Sequence, residues 1–509
     1  MRPDYTVNGS FYRLSIVLVL LLGGCVSSYQ QGKITTPELG EEWAGDTQEV
    51  FTSEQANILP RWWEAFNSHE LSILVEKAYS QNLTLRMAAL RILQARALSN
   101  AVGSALYPSI NTNNSIMHTQ PSGNAQPSDT SFTNYQLGID SSWELDLWGR
   151  TRRNIGAATA DLNNLNAAYE DIALSVGAEV SSAYINYAVL QNQLKLINTN
   201  IELQKQSLHV TRALFEEGSR TALDVQQARA ILAATQAQVP NLERSKNKIR
   251  NALITLLSLP PTEIDTLLPK GDITLPVLSG DVPLAAPVDV LRRRPDIRQA
   301  EWAAVAAAER AQVAHLERYP RISLSGSINL QVVDGVPTLF GGGPGELFNK
   351  NSLGFNIGPS VSIPLFNANR LENNLLAQDA AFQQALAAYR LAVFRGLQDV
   401  ENSLTALAQS RQRYRHLQKS VKAYNQAYTI AKILYREGEG SFQNIIDTQR
   451  QLIDQQQTQI AEQGNISLAQ ISLIRSLGGG WVPEESMRLD GATKQSLKGR
   501  SPSWSKYLE

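Results

Sequence analysis

Cysteine is almost absent: Cys25 is the only one in 509 residues, which excludes an intrachain disulfide and a thiolate metal cluster. Aromatic residues make up only 7% of the chain, although an apolar fraction of 43% is enough to bury a core. The five histidines, His69, His118, His209, His315 and His416, are scattered and none stands in a HExxH or similar ligand spacing. No cofactor, metal site or enzyme constellation is expected. Acidic residues (47) nearly cancel basic ones (46), so the chain has no basic field for nucleic acid and implies no acidic substrate. Gly341-Gly342-Gly343-Pro344-Gly345 lacks the Lys-Ser/Thr of a phosphate loop and reads as a turn between strands.

Long apolar runs are lacking too. Leu14 to Leu22 is a nine-residue apolar stretch that would span only about 13 Å as a helix, far short of a bilayer. With Arg2 and Arg13 before it and Leu22-Gly23-Gly24-Cys25 after it, the stretch reads as a secretory signal. Small residues before the cysteine resemble a bacterial lipobox, which implies lipid attachment at Cys25. Val26, in place of an aspartate, resembles lipoproteins sorted to the outer membrane. A polar tether rich in Gln, Thr, Glu and Gly follows.

What is present is said nearly twice. Tyr107-Pro108 returns as Tyr319-Pro320, Leu147-Trp148-Gly149-Arg150 as Leu365-Phe366-Asn367-Ala368-Asn369-Arg370, and Phe215-Glu216-Glu217-Gly218 as Tyr435-Arg436-Glu437-Gly438. Spacings of about 212 to 220 residues point to two units of about 210 residues in tandem. Each unit runs strand pair, long helix, Gly-containing turn, returning helix.

Four segments alternate with period two, as strands with one apolar and one polar face do. Ile322, Leu324, Gly326, Ile328 and Leu330 alternate with polar residues, as do Leu353, Phe355, Ile357, Pro359, Val361 and Ile363, and Tyr135, Leu137, Ile139, Trp143 and Leu145. Ser109 to His118 is the weakest, its polar face mostly Asn and Ser. Each run is about ten residues, the length of a tilted strand crossing a bilayer.

Proline is missing from Gly149 to about Phe215 and from Arg370 to about Tyr435, and apolar residues there step by threes and fours. One seam runs from Leu162 through Tyr169, Val176, Tyr184 and Leu194 to Ile201, the other from Leu386 through Val393, Val400, Leu407 and Leu417 to Ala431. Mixed heptads and stutters mark coiled-coil packing close to straight. About 66 residues at 1.5 Å each make a rod of roughly 100 Å. The returning helices, about Ala222 to Leu257 and Phe442 to Leu477, are shorter. Helices stacked end to end, Pro295 to Leu316 and Leu71 to Ser104, make up the difference. The second of these carries a break near Asn82.

Leu291-Arg292-Arg293-Arg294-Pro295-Asp296-Ile297 resembles the RRPDI hallmark of the TolC-like outer-membrane efflux family, in its lipoprotein (NodT-like) branch that serves resistance-nodulation-division (RND) pumps. Trp62-Trp63-Glu64-Ala65-Phe66, Trp143 to Arg150 and Leu477-Gly478-Gly479-Gly480-Trp481 look like further family signatures. The resemblance implies a mixed all-α plus β-barrel fold. In it a long antiparallel coiled-coil helical tunnel joins four transmembrane strands per protomer, which complete a trimeric twelve-stranded barrel. Four strands cannot close a barrel alone, so oligomerisation is expected from the residues as well.

The expected partition is a signal peptide over 1–24, a tether over 25–60, and a first efflux repeat over 61–275. That repeat has strands at about 107–118 and 134–147 and a helical hairpin at about 149–258. A second repeat follows over 276–481, with strands at about 321–331 and 353–364 and a hairpin at about 370–477, then a polar tail over 482–509.

The function so implied is a passive outer-membrane channel of a tripartite system. It would export small molecules such as drugs, as a homotrimer in outer-membrane lipid, with a periplasmic membrane-fusion adaptor and an inner-membrane pump of the RND class as partners. Alternatives are a type I secretion exit duct and a periplasmic coiled-coil scaffold lipoprotein that spans no membrane. In the family the hairpin tips, here at Gly218 and Gly438, close the periplasmic entrance and dock the adaptor. Asp447 matches an aspartate ring and Tyr435 a gating tyrosine, with Asn444 and Asp224 as further gate candidates. Gln443 stands where relatives carry a hydrophobic gate residue, and Asn444 where others have a second acid. Asp224 also suits a plain helix-dipole role.

Overall fold

The computed structural model describes residues 34, 43, 61–122, 124, 131–269, 271, 273–278, 293–335, 343–479 and 489–508. Cys25, the signal and nearly all of the tether lie outside these residues, as do Leu291, Arg292, Gly341, Gly342, Gly480 and Trp481. The elements run α1 (His69–Gln81), α2 (Leu83–Gly103), β1 (Ser109–Thr119), β2 (Phe132–Glu144), α3 (Arg150–Glu216), α4 (Ala222–Gln236), α5 (Gln238–Leu257) and α6 (Pro261–Leu267). After these come α7 (Pro295–Leu316), β3 (Arg321–Asp334), β4 (Leu353–Ser362), α8 (Arg370–Arg436), α9 (Phe442–Ser476), α10 (Gly491–Arg500) and α11 (Ser505–Leu508). Two compact units emerge: one holds Val102–Ala157 and Val305–Gln383, the other the described residues of 61–101, 158–304 and 384–508.

In the first unit β1, β2, β3 and β4 form one antiparallel sheet in chain order. The register aligns Ile139 with Ile328 and Ile328 with Phe355, and it aligns Leu137 with Leu330 and Leu330 with Leu353, so the alternating apolar residues share one face. On the other face Asn134 pairs with Gln331 at 3.1 Å and Asn356 with Ser327 at 2.9 Å. β1 follows the same parity, yet Thr112 and Asn114 occupy its apolar-face positions opposite Ile139 and Leu137. That is why its alternation was faint.

The Trp143 to Arg150 signature turns strand into helix within this unit. Glu144 takes the Arg150 guanidinium at 2.7 Å, and Asp146 accepts the backbone N–H of Thr151 at 2.9 Å and of Arg152 at 3.0 Å, which caps α3. Burial alone would raise the Asp146 carboxyl. The two backbone N–H groups and the Arg152 guanidinium, 3.1 Å away, instead hold it below the usual carboxylate range. Trp148 donates its indole N–H to the Pro320 carbonyl at 2.7 Å and packs on the Tyr319 ring, centroids 5.5 Å apart.

In the second unit the long helices bury their seams. Tyr169, Val176, Val180, Tyr184 and Ile197 of α3, and Val393, Val400, Leu404 and Leu407 of α8, are all buried. Each such side chain is worth roughly 1.5–3 kcal/mol of transfer free energy, which no local propensity matches. Trp62, Trp63 and Phe66 enter the same core through edge contacts near 6 Å. Asn82 ends α1; its side chain accepts the Leu85 N–H at 3.0 Å and donates to the Leu256 carbonyl at 2.7 Å, so the break there is a buried cap.

The RRPDI residues have a structural explanation. Arg294, only 6% exposed, donates to both oxygens of Asp296 (3.0 and 2.7 Å), to Asp399 at 2.9 Å and to the Ser476 carbonyl at 2.9 Å. Burial works against its charge, but the two carboxylates outweigh it and raise its pKa. Gly478, at φ +71°, lets the Arg293–Arg294 backbone pass: a Cβ there would lie 2.9 Å from the Arg294 nitrogen. The RRPDI and LGGG signatures are thus two sides of one contact.

Two expectations change. The first returning helix is two helices, α4 and α5, meeting at Ala237, because Pro240 has no N–H to give and is tolerated only in a first turn. The segment read as a polar tail contains α10 and α11. Asp490 caps α10 through the Thr493 N–H at 2.8 Å and pairs with Arg86 at 2.8 Å; Asn100 donates to the Tyr507 hydroxyl at 3.0 Å, and Leu508 is buried. No helix among the described residues is long and apolar enough to cross a membrane.

Replacing Arg294 with Met should cost about 2 kcal/mol in urea unfolding. That is less than for a fully buried pair, because Asp296 and Asp399 reach water. Asp146 makes a pH-dependent contribution: its folded pKa is depressed, so the stabilisation is complete above about pH 4 and disappears as pH falls through the folded value. Thermal unfolding of Asp146→Asn should lack that acid-side component, and an unchanged pH profile would contradict the assignment.

Candidate functional site

The chain reverses at two tips of the second unit, and both are built alike. At the first, α3 ends as Gly218 takes φ +76° and the Ser219 N–H reaches back to the Leu214 carbonyl at 2.9 Å. At the second, α8 ends as Gly438 takes φ +85° and the Glu439 N–H reaches the Leu434 carbonyl at 2.9 Å. A left-handed residue closing such a loop is a helix stop that only glycine adopts without strain. Thr221 and Ser441 then start the returning helices as N-caps.

Within this shared frame the candidate residues do different things. Asp224 completes a capping box: its N–H donates to the Thr221 hydroxyl and its carboxylate accepts the Thr221 N–H, both at 3.3 Å. Asn444, its positional counterpart, is exposed and gives only its N–H to Ser441, at 3.4 Å. Asp447 is exposed and accepts from the Gln443 amide at 3.0 Å. Gln443 in turn accepts from Gln227 at 3.2 Å, so a line of side chains links the two tips and ends on the carboxylate.

Tyr435 is buried in a small apolar cluster with Ala228, Ala431, Phe442, Ile445 and Ile446. Its ring lies 5.3 Å from that of Phe442. On its other side the Arg220 guanidinium sits 4.1 Å from the ring centroid and also donates to the Tyr435 carbonyl. Burial pushes the phenol up, the Asp224 charge adds to this, and Arg220 opposes it. The structure therefore places Asp224 and Arg220 both close enough to act on Tyr435, while Asp447 and Asn444 face solvent.

Arg220 and Gln227 escaped the sequence reading. The usable signal was a mismatch between the two tip sequences: Arg220 stands where the other tip has Gly440, and Gln227 where it has Asp447. Among the described residues no three His, Cys, Asp or Glu side chains cluster as metal ligands do.

The sequence matches the outer membrane efflux protein family over residues 74–258 and 286–479, which include both tips and all four strands. The chain belongs to that family. Its members here are outer-membrane channel proteins, not enzymes. A pyoverdine export outer membrane protein, OpmQ of Pseudomonas putida, is 30% identical over 86% of this chain and 92% of its own length. A probable outer membrane lipoprotein, SilC of Salmonella typhimurium, is 27% identical over 92% of this chain and 98% of its own length. The solved outer-membrane channel OprN superposes with a TM-score of 0.80 at 29% identity, covering 88% of this chain and all of its own.

The capping geometry separates two roles for Asp224. Thr221→Ala should remove the first-turn cap, worth about 1 kcal/mol, and speed amide exchange at the start of α4 roughly five-fold. Asp224→Ala should match it. An Asp224→Ala protein with unchanged exchange would show that the carboxylate is not a cap.

Proposed function

We propose that this protein is the passive outer-membrane channel of a tripartite efflux system. Three chains would supply four strands each to a twelve-stranded barrel, with the helices forming a periplasmic tunnel. Each chain would be anchored by lipid at Cys25. The observation that carries the reading is the sheet. Ile116, Phe355 and Ile357 on its apolar face are each about three-quarters exposed, and its outer strands β1 and β4 leave two rows of backbone groups open. Water does not suit that face, and lipid does not suit those edges unless other chains close them. The number three and the partners, a membrane-fusion adaptor and an RND-class pump, rest on the family resemblance.

In this reading the two halves are tandem copies, and the tips at Gly218 and Gly438 form the adaptor-facing entrance. Asp447 is the gate carboxylate: exposed, held by Gln443, and brought near two others around a narrow axis, it would concentrate cations. Tyr435 and Arg220 hold the two hairpins of one chain together, and Asp224 supports that grip through its cap. A periplasmic scaffold would have no use for an exposed apolar sheet, and a type I secretion duct has no specific feature in its favour.

The gate reading is tested in planar bilayers. Asp447→Ala should raise conductance and weaken block by divalent cations several-fold; unchanged conductance and block would remove Asp447 from the gate. Cys25→Ser should abolish incorporation of labelled palmitate, and a deletion strain should become more sensitive to exported small molecules.

A further inference from the structure

The two strand-to-helix junctions of the sheet differ in one respect. Trp148, just after β2, covers Tyr319-Pro320, just before β3. Phe366 occupies the equivalent place after β4, and Tyr107-Pro108 the equivalent place before β1, yet within one chain nothing joins them. Phe366 is 91% exposed and Tyr107 is 73% exposed, whereas Tyr319 under its tryptophan is half-buried. They sit at the two open edges of the same sheet.

We propose that Phe366 of one protomer seats on Tyr107-Pro108 of the next and fixes the β4–β1 seam between protomers in one register. That register pairs Ile357 with Ile116, Val361 with Thr112 and Ser360 with Asn113 of the neighbouring copy. This rests on the trimeric-barrel reading and adds to it a residue-level alignment.

The register follows from the pairing already present inside the chain. β2 and β3 align Ser142 with Ser325, Trp143 with Leu324 and Ile139 with Ile328. β4 ends at Ser362 as β2 ends at Glu144, and β1 begins at Ser109 as β3 begins at Arg321. Transferring the β2–β3 alignment to the equivalent positions gives the stated pairs.

Two features are consistent with it. Apolar residues oppose apolar-face positions, so Ile357 meets Ile116 and Ile363 meets Ile110, all of them exposed in the single chain. The hydrogen-bonding parity also fits. The Leu145 N–H donates to the Ile322 carbonyl at 2.8 Å, which sets the β2–β3 bonds on odd residues of β2 and even residues of β3. Alternation then leaves the even residues of β1 and the odd residues of β4 pointing their N–H and C=O groups outward, and these are the residues the seam aligns. Pro359 is one of them and gives no N–H. The seam lacks one bond there, while Phe355, Ile357, Val361 and Ile363 keep theirs. Registers two residues away satisfy the same parity. The aromatic contact at the junction selects among them.

Cysteine pairs decide the register. Ser360 and Asn113 fall at a non-hydrogen-bonded position on the polar face, where Cα atoms lie about 4.5 Å apart, within disulfide reach. Diagonal neighbours at about 7–8 Å are beyond it. Oxidation of S360C/N113C should give covalent dimers and trimers on non-reducing gels. S360C/N111C, S360C/S115C and each single variant should stay monomeric after boiling. Preferential linking of either displaced pair, or no linking by any pair in a protein that still conducts, would overturn the register. A wild-type protein that never conducts would instead sink the channel reading.

Heat dissociation of the trimer probes the aromatic contact. F366A should speed dissociation about five-fold, and adding Y107A should bring no further loss. F366W should slow it, since an indole N–H would gain the Pro108 carbonyl of the neighbouring copy. Additive effects of F366A and Y107A would show that the two rings do not meet.

Discussion

A backbone N–H or C=O facing hydrocarbon without a partner costs several kcal/mol, and a four-stranded sheet ends in two such rows. That constraint organises this chain. If the apolar face of β2, β3 and β4 is to sit in lipid, the outward-pointing groups of β1 and β4 must find strands that the described residues do not supply. β1 tolerates Thr112 and Asn114 at apolar-face positions, and Pro359 lies where its missing N–H costs only one edge bond. Even the strand-to-helix turns follow, since Glu144, Asp146 and Trp148 tie the end of β2 to α3 and to the start of β3. The sheet is held firmly everywhere except at its edges.

Much of this was readable from residue order because period-two and three-four patterns are local. The alternation over Tyr135 to Leu145, Ile322 to Leu330 and Leu353 to Ile363 needs no knowledge of partners. β1 was faint because its Asn and Thr residues make sense only when aligned against Ile139 and Leu137. The single returning helix was misread although Pro240 was in plain view: a proline three residues into a helix is itself a start signal. Long-range chemistry was not legible at all. The RRPDI motif announces Arg294, but nothing local says that its guanidinium reaches Asp399 and the Ser476 carbonyl, or that Gly478 is small so that this backbone can pass.

At the tips the limit was different. Gly218 and Gly438 mark closely similar turns, so repetition located the site and the difference between Asp224 and Asn444 with Asp447 marked its asymmetry, but not what each residue does there. One tip spends its acid on a capping box with Thr221, and the other leaves Asn444 free of that duty and places Asp447 one turn farther along. Counterparts that differ in charge, Asp224 against Asn444 and Gln227 against Asp447, are where two similar tips are free to differ, because the turn geometry is already secured by glycine and the cap.

Separating the hairpins near the tips costs less than separating them farther up. The wide core around Tyr184, Leu253 and Leu473 is extensive and mainly apolar, although it also buries the unpartnered indole N–H groups of Trp62 and Trp63, whereas the tip cluster holds six buried residues and is followed by a polar layer. Gln204 of α3 is 2% exposed and Gln449 of α9 is 4% exposed, between the Tyr435 cluster and the next apolar group of Ile197, Ile201 and Ile453. Both amide atoms of Gln204 and the amide nitrogen of Gln449 are without partners in the packed state. Each such group sets about 1–3 kcal/mol against packing, and wetting it on separation returns that amount. Apolar burial thus holds the helices together strongly along most of α3, α8 and α9 and weakly over the turns next to Gly218 and Gly438, where the contact of Arg220 with Tyr435 adds to a small cluster.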